Sequence, residues 1–372
     1  MGDYFQAVDE ISSTLIRENA SDVDEDGQFP AAAIDAFAAR GLLGLISATE
    51  VGGLGQGIGA AVRVIERIAA ECGSTAMVLC MHYSGAAVIE KFGPEDVRRD
   101  IAAGRHLTTL AFSEKGSRSQ FWAPVSTARA QGDAVLLDAR KSWVTSAHHA
   151  DSYVWSSRPV GADGVSTIWL VRSKSEGLTV EGQFNGMGLR GNDSTPVTAE
   201  NVEVTASDRL GEDGAGLDVM LGTVLPLFNV LTSANAVGLM EGVIGASAGH
   251  AATRFEHSGS TLADLATQRA RLAEMRIAAD ETKCLLYDTV AALEAGREDA
   301  QLRVLESKAS AGDSAARVVD LAMRFCGGVA FRRELGVERR FRDARAGLVM
   351  APTSDHLREF IGRALCGLPV FG

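Results

Sequence analysis

Residues Cys326–Ala346 read CGGVAFRRELGVERRFRDARA, and the fold turns on what lies on either side of them. The glycine pair Gly327 and Gly328 closes a run, Ala300 to Cys326, in which apolar residues recur at helical spacing. Two longer runs of the same spacing stand upstream, Leu217 to Phe255 and Leu262 to Ala295, and a shorter one starts at Thr353. Helices of such length joined by short turns predict an antiparallel four-helix bundle. Taken singly, the glycines are a helix cap or a place where bare backbone meets a ligand, and the arginines are a solvated helix face.

Further back the periodicity changes. From His106 to about Asp208 short strand-favouring runs follow one another, HLTTLAF, AVLLDA, SYVWSS, VSTIWLV and ENVEVT, separated by Gly, Asp, Asn and Pro. They predict a compact antiparallel sheet domain. From Tyr4 to about Gly104 helical spacing holds, with Pro30 and Gly41 bracketing one helix. The expected organisation is α+β: a helical domain over 1–105, a middle β domain over 106–215 and a helical bundle over 216–372.

Composition narrows the function. The chain has 372 residues and is 46% hydrophobic, enough for a sizeable core. Its 36 basic and 48 acidic residues leave a charge of −12, which argues against nucleic acid or an anionic membrane as the main partner. Cysteines 72, 80, 284, 326 and 366 are odd in number and form no C-x-x-C pair, so no disulfide framework and no metal site is expected. Charges interrupt the apolar positions of the N-terminal segment, Gln6 stands where myristoylation needs a hydroxyl residue, and no apolar run is read as a membrane span. A soluble cytoplasmic protein is expected.

Several motifs, in order, resemble the acyl-CoA dehydrogenase family over essentially the whole chain. They are ATEVGGLG at Ala48–Gly55, LAFSEKGSRSQ at Leu110–Gln120, KSWVTSAHHADSYV at Lys141–Val154, GMGLRGNDSTPVTAENVEV at Gly186–Val204, and the stretch quoted first. The second lacks the Pro and the second Gly of the family pattern. The resemblance implies the family's fold, an N-terminal helical domain, a middle antiparallel β-barrel and a C-terminal four-helix bundle, and FAD as cofactor. An isoalloxazine ring needs hydrogen-bond donors along one edge and an apolar or aromatic cover. By carry-over Phe112, Ser113 and Thr145 lie along the ring, Trp143 packs against it, and Ser119 faces the pyrophosphate. Arg254 and Arg324 resemble residues that reach a neighbouring subunit's FAD, the latter in place of a glutamine. Gly327 and Gly328 allow close backbone approach, and Thr353 and Asp355 lie near the flavin and the adenosine end.

The family's chemistry needs a carboxylate to take the α proton of an acyl thioester. Matching FRDAR to the family pattern puts Ala351 at that glutamate's place, and matching ANAVGLMEG puts Phe228 at the position a second branch uses. Both family base positions are therefore without a carboxylate. A base from elsewhere is one reading, with His82 and Glu114 as first candidates and His148, His149, Asp193 and Glu241 behind them. A flavin monooxygenase on the same fold, which needs no such base, is the second, and a non-catalytic subunit is the third. Phe228, Asn229, Met350 and Arg190 are the expected substrate-pocket residues, Asn229 replacing a frequent arginine. The leading expectation is FAD-dependent α,β-dehydrogenation of an acyl-CoA or acyl-carrier-protein thioester. An electron-transfer flavoprotein or a flavin reductase would be the redox partner, and the protein a homodimer or homotetramer.

Overall fold

The computed structural model describes residues 3–117 and 120–370. Six helices come first: α1 Asp3–Ile11, α2 Arg17–Glu25, α3 Ala31–Ala39, α4 Ile58–Ala69, α5 Gly73–Phe92 and α6 Glu95–Ala102. A π-helical turn, Ser12–Ile16, joins α1 to α2. Helix α6 starts after Pro94, and Glu95 and Asp96 in its first turn meet the positive end of its dipole. Helix α5 is buried along nearly its whole length, from Gly73 to Ala86.

Among the described residues seven strands follow: β1 Thr108–Ala111, β2 Thr127–Gln131, β3 Ala134–Val144, β4 Ser152–Ser157, β5 Thr167–Arg172, β6 Leu178–Val180 and β7 Thr195–Thr205. They form a three-stranded sheet, β1-β4-β5, and a four-stranded sheet, β2-β3-β7-β6. The middle domain is not wholly antiparallel as expected, because β1 pairs with β4 in parallel, Thr108 opposite Ser152. Between them the chain leaves for the β2–β3 hairpin in the other sheet, so it re-enters beside β1 in the same direction. Strand alternation gives the first sheet two buried faces. Tyr153, Trp155, Trp169 and Val171 pack against the second sheet, while Leu110, Val154, Ile168 and Leu170 join the core of the helices. That second face fixes the sheets to the helical body.

The remaining helices are α7 Gly216–Val219, α8 Leu225–Ala251, α9 Ala266–Ala295, α10 Ala300–Cys326, α11 Val337–Ala344, α12 Ala346–Val349 and α13 Ser354–Leu365. Helices α8, α9 and α10 pack on one another, and α13 lies along α10. The expected helix ends shift inward at one loop. Helix α8 stops at Ala251, and a capping box between Thr261 and Asp264 holds a short 3₁₀ turn ahead of α9. Helix α4 crosses α8 closely because Gly238 and Gly242 have no side chain: a Cβ there would meet the Glu66 and Ala70 carbonyls at 2.3 and 2.2 Å. The run Gly216–Ala251 is long and apolar enough to cross a membrane by composition, which corrects the sequence expectation of no such run. It is the central helix of the bundle, buried without interruption from Leu225 to Met240.

Candidate functional site

Where the sheets meet the helices, a small pocket opens. The ends of β1 and β3 supply Phe112, Ser113, Ser142 and Trp143, α5 supplies Met81, the residue before α8 is Val224, and the start of α8 supplies Leu225 and Phe228. Ala351 and Pro352, on the loop before α13 and joined by a cis peptide, close the wall. A π-helical turn, Met220–Val224, runs into this part of α8, where Pro226 has no N–H to offer the preceding turn.

Phe228 and Ala351, the two positions where the resemblance expects a carboxylate, line this one pocket, and among the described residues that line it none is ionisable. Ser142 donates its backbone N–H to the Ser113 carbonyl at 2.9 Å, joining the two strand ends. Trp143 is 68% exposed and held at φ +59°, a left-handed conformation rare for a bulky residue. The turn after it is strapped to the loop before β7. Ser146 N–H donates to the Asn192 carbonyl at 2.9 Å, and Asp193 takes His148 N–H at 2.7 Å and Nδ1 at 2.9 Å. Thr145 is buried with its hydroxyl 3.0 Å from that of Ser194, so its backbone is what remains to meet a ligand.

These residues fit a planar aromatic group. An indole fixed in the open at a strained backbone position beside two seryl groups offers a face and an edge to a flavin ring. Ser119 lies outside the described residues. Gly327, at φ +62°, and Gly328 have no heavy atom within 4 Å of where a Cβ would stand, so the backbone there is open to approach. Arg254 donates to the Gly259 carbonyl at 3.0 Å, Arg324 pairs with Asp320 at 2.9 Å, and both are exposed. Arg254 sits just past the end of α8, about 35 Å along that helix from Phe228 at the helical rise, and Arg324 lies in the last turn of α10. The structure does not bring them to this pocket within one chain. Thr353 caps α13 by accepting His356 N–H at 3.3 Å, and Asp355, 94% exposed in its side chain, pairs with Arg358 at 3.0 Å.

The expected bases are held elsewhere. His82 is fully buried, its Nδ1 accepting Thr108 N–H at 3.2 Å while its Nε2 donates to the Leu43 carbonyl at 2.9 Å. Burial pushes its pKa down to about 4, so the ring is neutral and occupied. Its neighbour Met81 lines the pocket instead. Glu114 accepts Val125 N–H at 2.6 Å, Ser126 N–H at 3.0 Å and the buried Lys141 ammonium. Burial raises its pKa, but Lys141 together with the hydrogen bonds from Ser126 and Val125 outweighs that and holds it below the usual range. His149 stacks on Phe29 at 3.8 Å, and Glu241 is held by Arg276 at 2.7 and 2.9 Å. None of these lines the pocket.

Two expected pocket residues are displaced as well. Arg190 donates to the Asp24 and Glu25 carbonyls at 2.6 and 3.3 Å, tying the sheet domain to α2. Met350 contributes its carbonyl to Lys308 rather than a side chain to the lining. Asn229 is fully buried beside Phe228, with neither amide atom hydrogen-bonded. Sequence reasoning missed Met81, Leu110, Phe121 and Leu225 because an apolar residue at helical or strand spacing reads as core, and Lys308 because a lysine on a helix reads as surface.

Family models match three consecutive parts of the chain: the acyl-CoA dehydrogenase N-terminal domain over 3–104, the middle domain over 109–202 and the C-terminal domain over 214–366. The chain belongs to the acyl-CoA dehydrogenase family, flavoprotein oxidoreductases acting on CH–CH bonds. It is 29% identical over 366 residues to cyclohex-1-ene-1-carbonyl-CoA dehydrogenase of Geobacter metallireducens, covering 96% of each chain. It is 27% identical over 350 residues to the human mitochondrial short-chain specific acyl-CoA dehydrogenase, covering 92% of this chain and 84% of that one. The butyryl-CoA dehydrogenase of Megasphaera elsdenii has the same fold, with a TM-score of 0.92 at 21% identity over 98% of this chain and 97% of that one.

Proposed function

We propose that this chain binds FAD with its ring against Trp143 and acts on the acyl part of a small acyl thioester, carried by coenzyme A as in the relatives' names. The observation that carries this reading is the make-up of the pocket: a mostly apolar wall in which Trp143 and Ser113 stand together with Phe228 and Ala351. A bound flavin supplies acceptance of a hydride from the β carbon. The chain's own part is to seat the acyl group between Phe228, Met81 and Leu225 and to keep bulk water out. Ser113 and Ser142, whose strand ends are pinned to each other, provide fixed polar groups at the ring side.

With no ionisable side chain among the described residues of the lining, the α proton leaves to water or to a group on the ligand. Turnover of a simple acyl-CoA is therefore slow, by roughly the 10²–10⁴-fold that a positioned base contributes. The names of the relatives favour dehydrogenation over oxygen transfer. Arg254 and Arg324 do not line this pocket and resemble residues that reach a neighbouring subunit's FAD, so completing the cofactor site falls to a second copy, in a homodimer or homotetramer. An electron-transferring flavoprotein is the redox partner this reading implies, and a soluble cytoplasmic setting agrees with α8 lying inside the bundle.

The test is anaerobic mixing of the FAD-loaded protein with short acyl-CoAs. Slow bleaching of the flavin by a thioester supports the reading. Reduction by external reductant only, followed by oxygen-dependent product in air, replaces it with the monooxygenase.

A further inference from the structure

Behind the wall that carries Ala351 stands Lys308 on α10, only 2% exposed. Its ammonium donates to the Met350 carbonyl at 2.9 Å and the Pro352 carbonyl at 2.5 Å, one on each side of Ala351. The same ammonium lies 6.0 Å from the centre of the Phe228 ring. Among the described residues no carboxylate lies within 4.0 Å of it. Burial pushes its pKa down to about 7.

A buried ammonium without a counter-ion is an expensive way to pack two helices. An apolar residue of similar length would join α10 to α8 at less cost, so stability alone does not account for it. The loop does account for it. Met350 N–H ends α12 by donating to the Ala346 carbonyl at 2.9 Å, Thr353 opens α13, and Pro352 between them has no N–H. Lys308 supplies hydrogen bonds to the carbonyls that flank Ala351. The polar groups nearby point the same way. Ser307, next to Lys308, bonds Ser233 on α8 at 3.2 Å, while Asn229 and the Ser354 hydroxyl are buried without partners. A layer optimised only for stability leaves fewer such groups unsatisfied.

We propose that Lys308 is the positioning residue of the substrate wall: it fixes the backbone from Met350 to Pro352 and thereby sets the depth of the pocket at Ala351 for the acyl group. The inference rests on the acyl-thioester reading above. Lys308 touches neither acyl group nor cofactor; it acts through the loop.

The test uses the FAD-loaded protein and its Lys308→Met and Lys308→Arg variants, with butyryl-CoA and free coenzyme A as probes read by flavin absorbance. Lys308→Met is expected to bind butyryl-CoA about tenfold more weakly, the scale of one lost charge-assisted hydrogen bond, with free coenzyme A within about twofold of wild type. Lys308→Arg, which keeps donors, is expected to recover most of the difference. Equal weakening for both probes, or none, overturns the proposal. Should Lys308→Met fail to fold, ¹⁵N-lysine labelling of the wild type decides. The Lys308 ammonium signal, assigned by its loss in Lys308→Arg, is expected to shift with butyryl-CoA and not with coenzyme A; a shift with neither or with both overturns it. A wild type whose flavin spectrum ignores butyryl-CoA overturns the thioester reading, and this inference with it.

Discussion

Phe228 and Ala351 come from α8 and from the loop before α13, far apart in sequence, and line the same pocket. Two positions that could each hold a base thus converge on the same space, and both are apolar. The pocket has Trp143 and Ser113 in its wall and, among the described residues that line it, no ionisable side chain.

Removal of the Arg254 side chain tests the shared cofactor site. Arg254→Ala should weaken FAD retention by about 1.5–3 kcal/mol, the scale of a hydrogen bond to a charged group. Titration of the apoprotein with FAD gives the number directly, and unchanged affinity in a folded, oligomeric variant removes Arg254 from the site.

Lys141 and Glu114 form a fully buried ion pair, with Lys141 also donating to the Ser156 carbonyl at 2.7 Å and to its hydroxyl at 2.9 Å. Lys141→Met leaves Glu114 charged and unpaired and should cost about 3–5 kcal/mol in denaturant unfolding. Adding Glu114→Gln should return part of it. Because the Glu114 pKa is lowered on folding, its contribution is present above the unfolded carboxylate range and lost as pH falls below it. A double variant no more stable than the single one contradicts the pairing.

His82 bears on acid sensitivity. Its pKa falls from the usual 6.5 to about 4 on folding, so the folded state favours the neutral ring. That preference is fully expressed above pH 6.5 and is lost as pH drops towards 4, a change of ~3 kcal/mol at 1.36 kcal/mol per unit. His82→Gln should flatten unfolding stability over this window while leaving the flavin spectrum in place. A wild-type slope retained by the variant assigns the effect to another group.

Much of this was legible in the residues. The change from helical spacing to period-two runs and back located the three layers, and the motif around Trp143 picked out a residue that the structure holds open at positive φ. The parallel β1–β4 pair was not legible, since pairing direction depends on where the chain goes between two strands. Nor were His82 and Glu114 as structural posts. His82 is held by the Leu43 carbonyl and the Thr108 amide, and Glu114 by the Val125 and Ser126 amides beside Lys141; the backbone partners leave no mark in a sequence. Lys308 was hidden for the same reason, its acceptors being the carbonyls of Met350 and Pro352.

The central claim is that this pocket receives an acyl thioester beside a flavin and lacks only the base. Ala351→Glu places a carboxylate on the wall at one of the two vacated positions, and the measurement is the anaerobic rate of flavin reduction by butyryl-CoA in stopped flow. The account predicts slow reduction in the wild type and a gain on the order of 10²–10⁴-fold in Ala351→Glu. Rapid reduction of the wild type, or a variant that binds the thioester and reduces no faster, would contradict it.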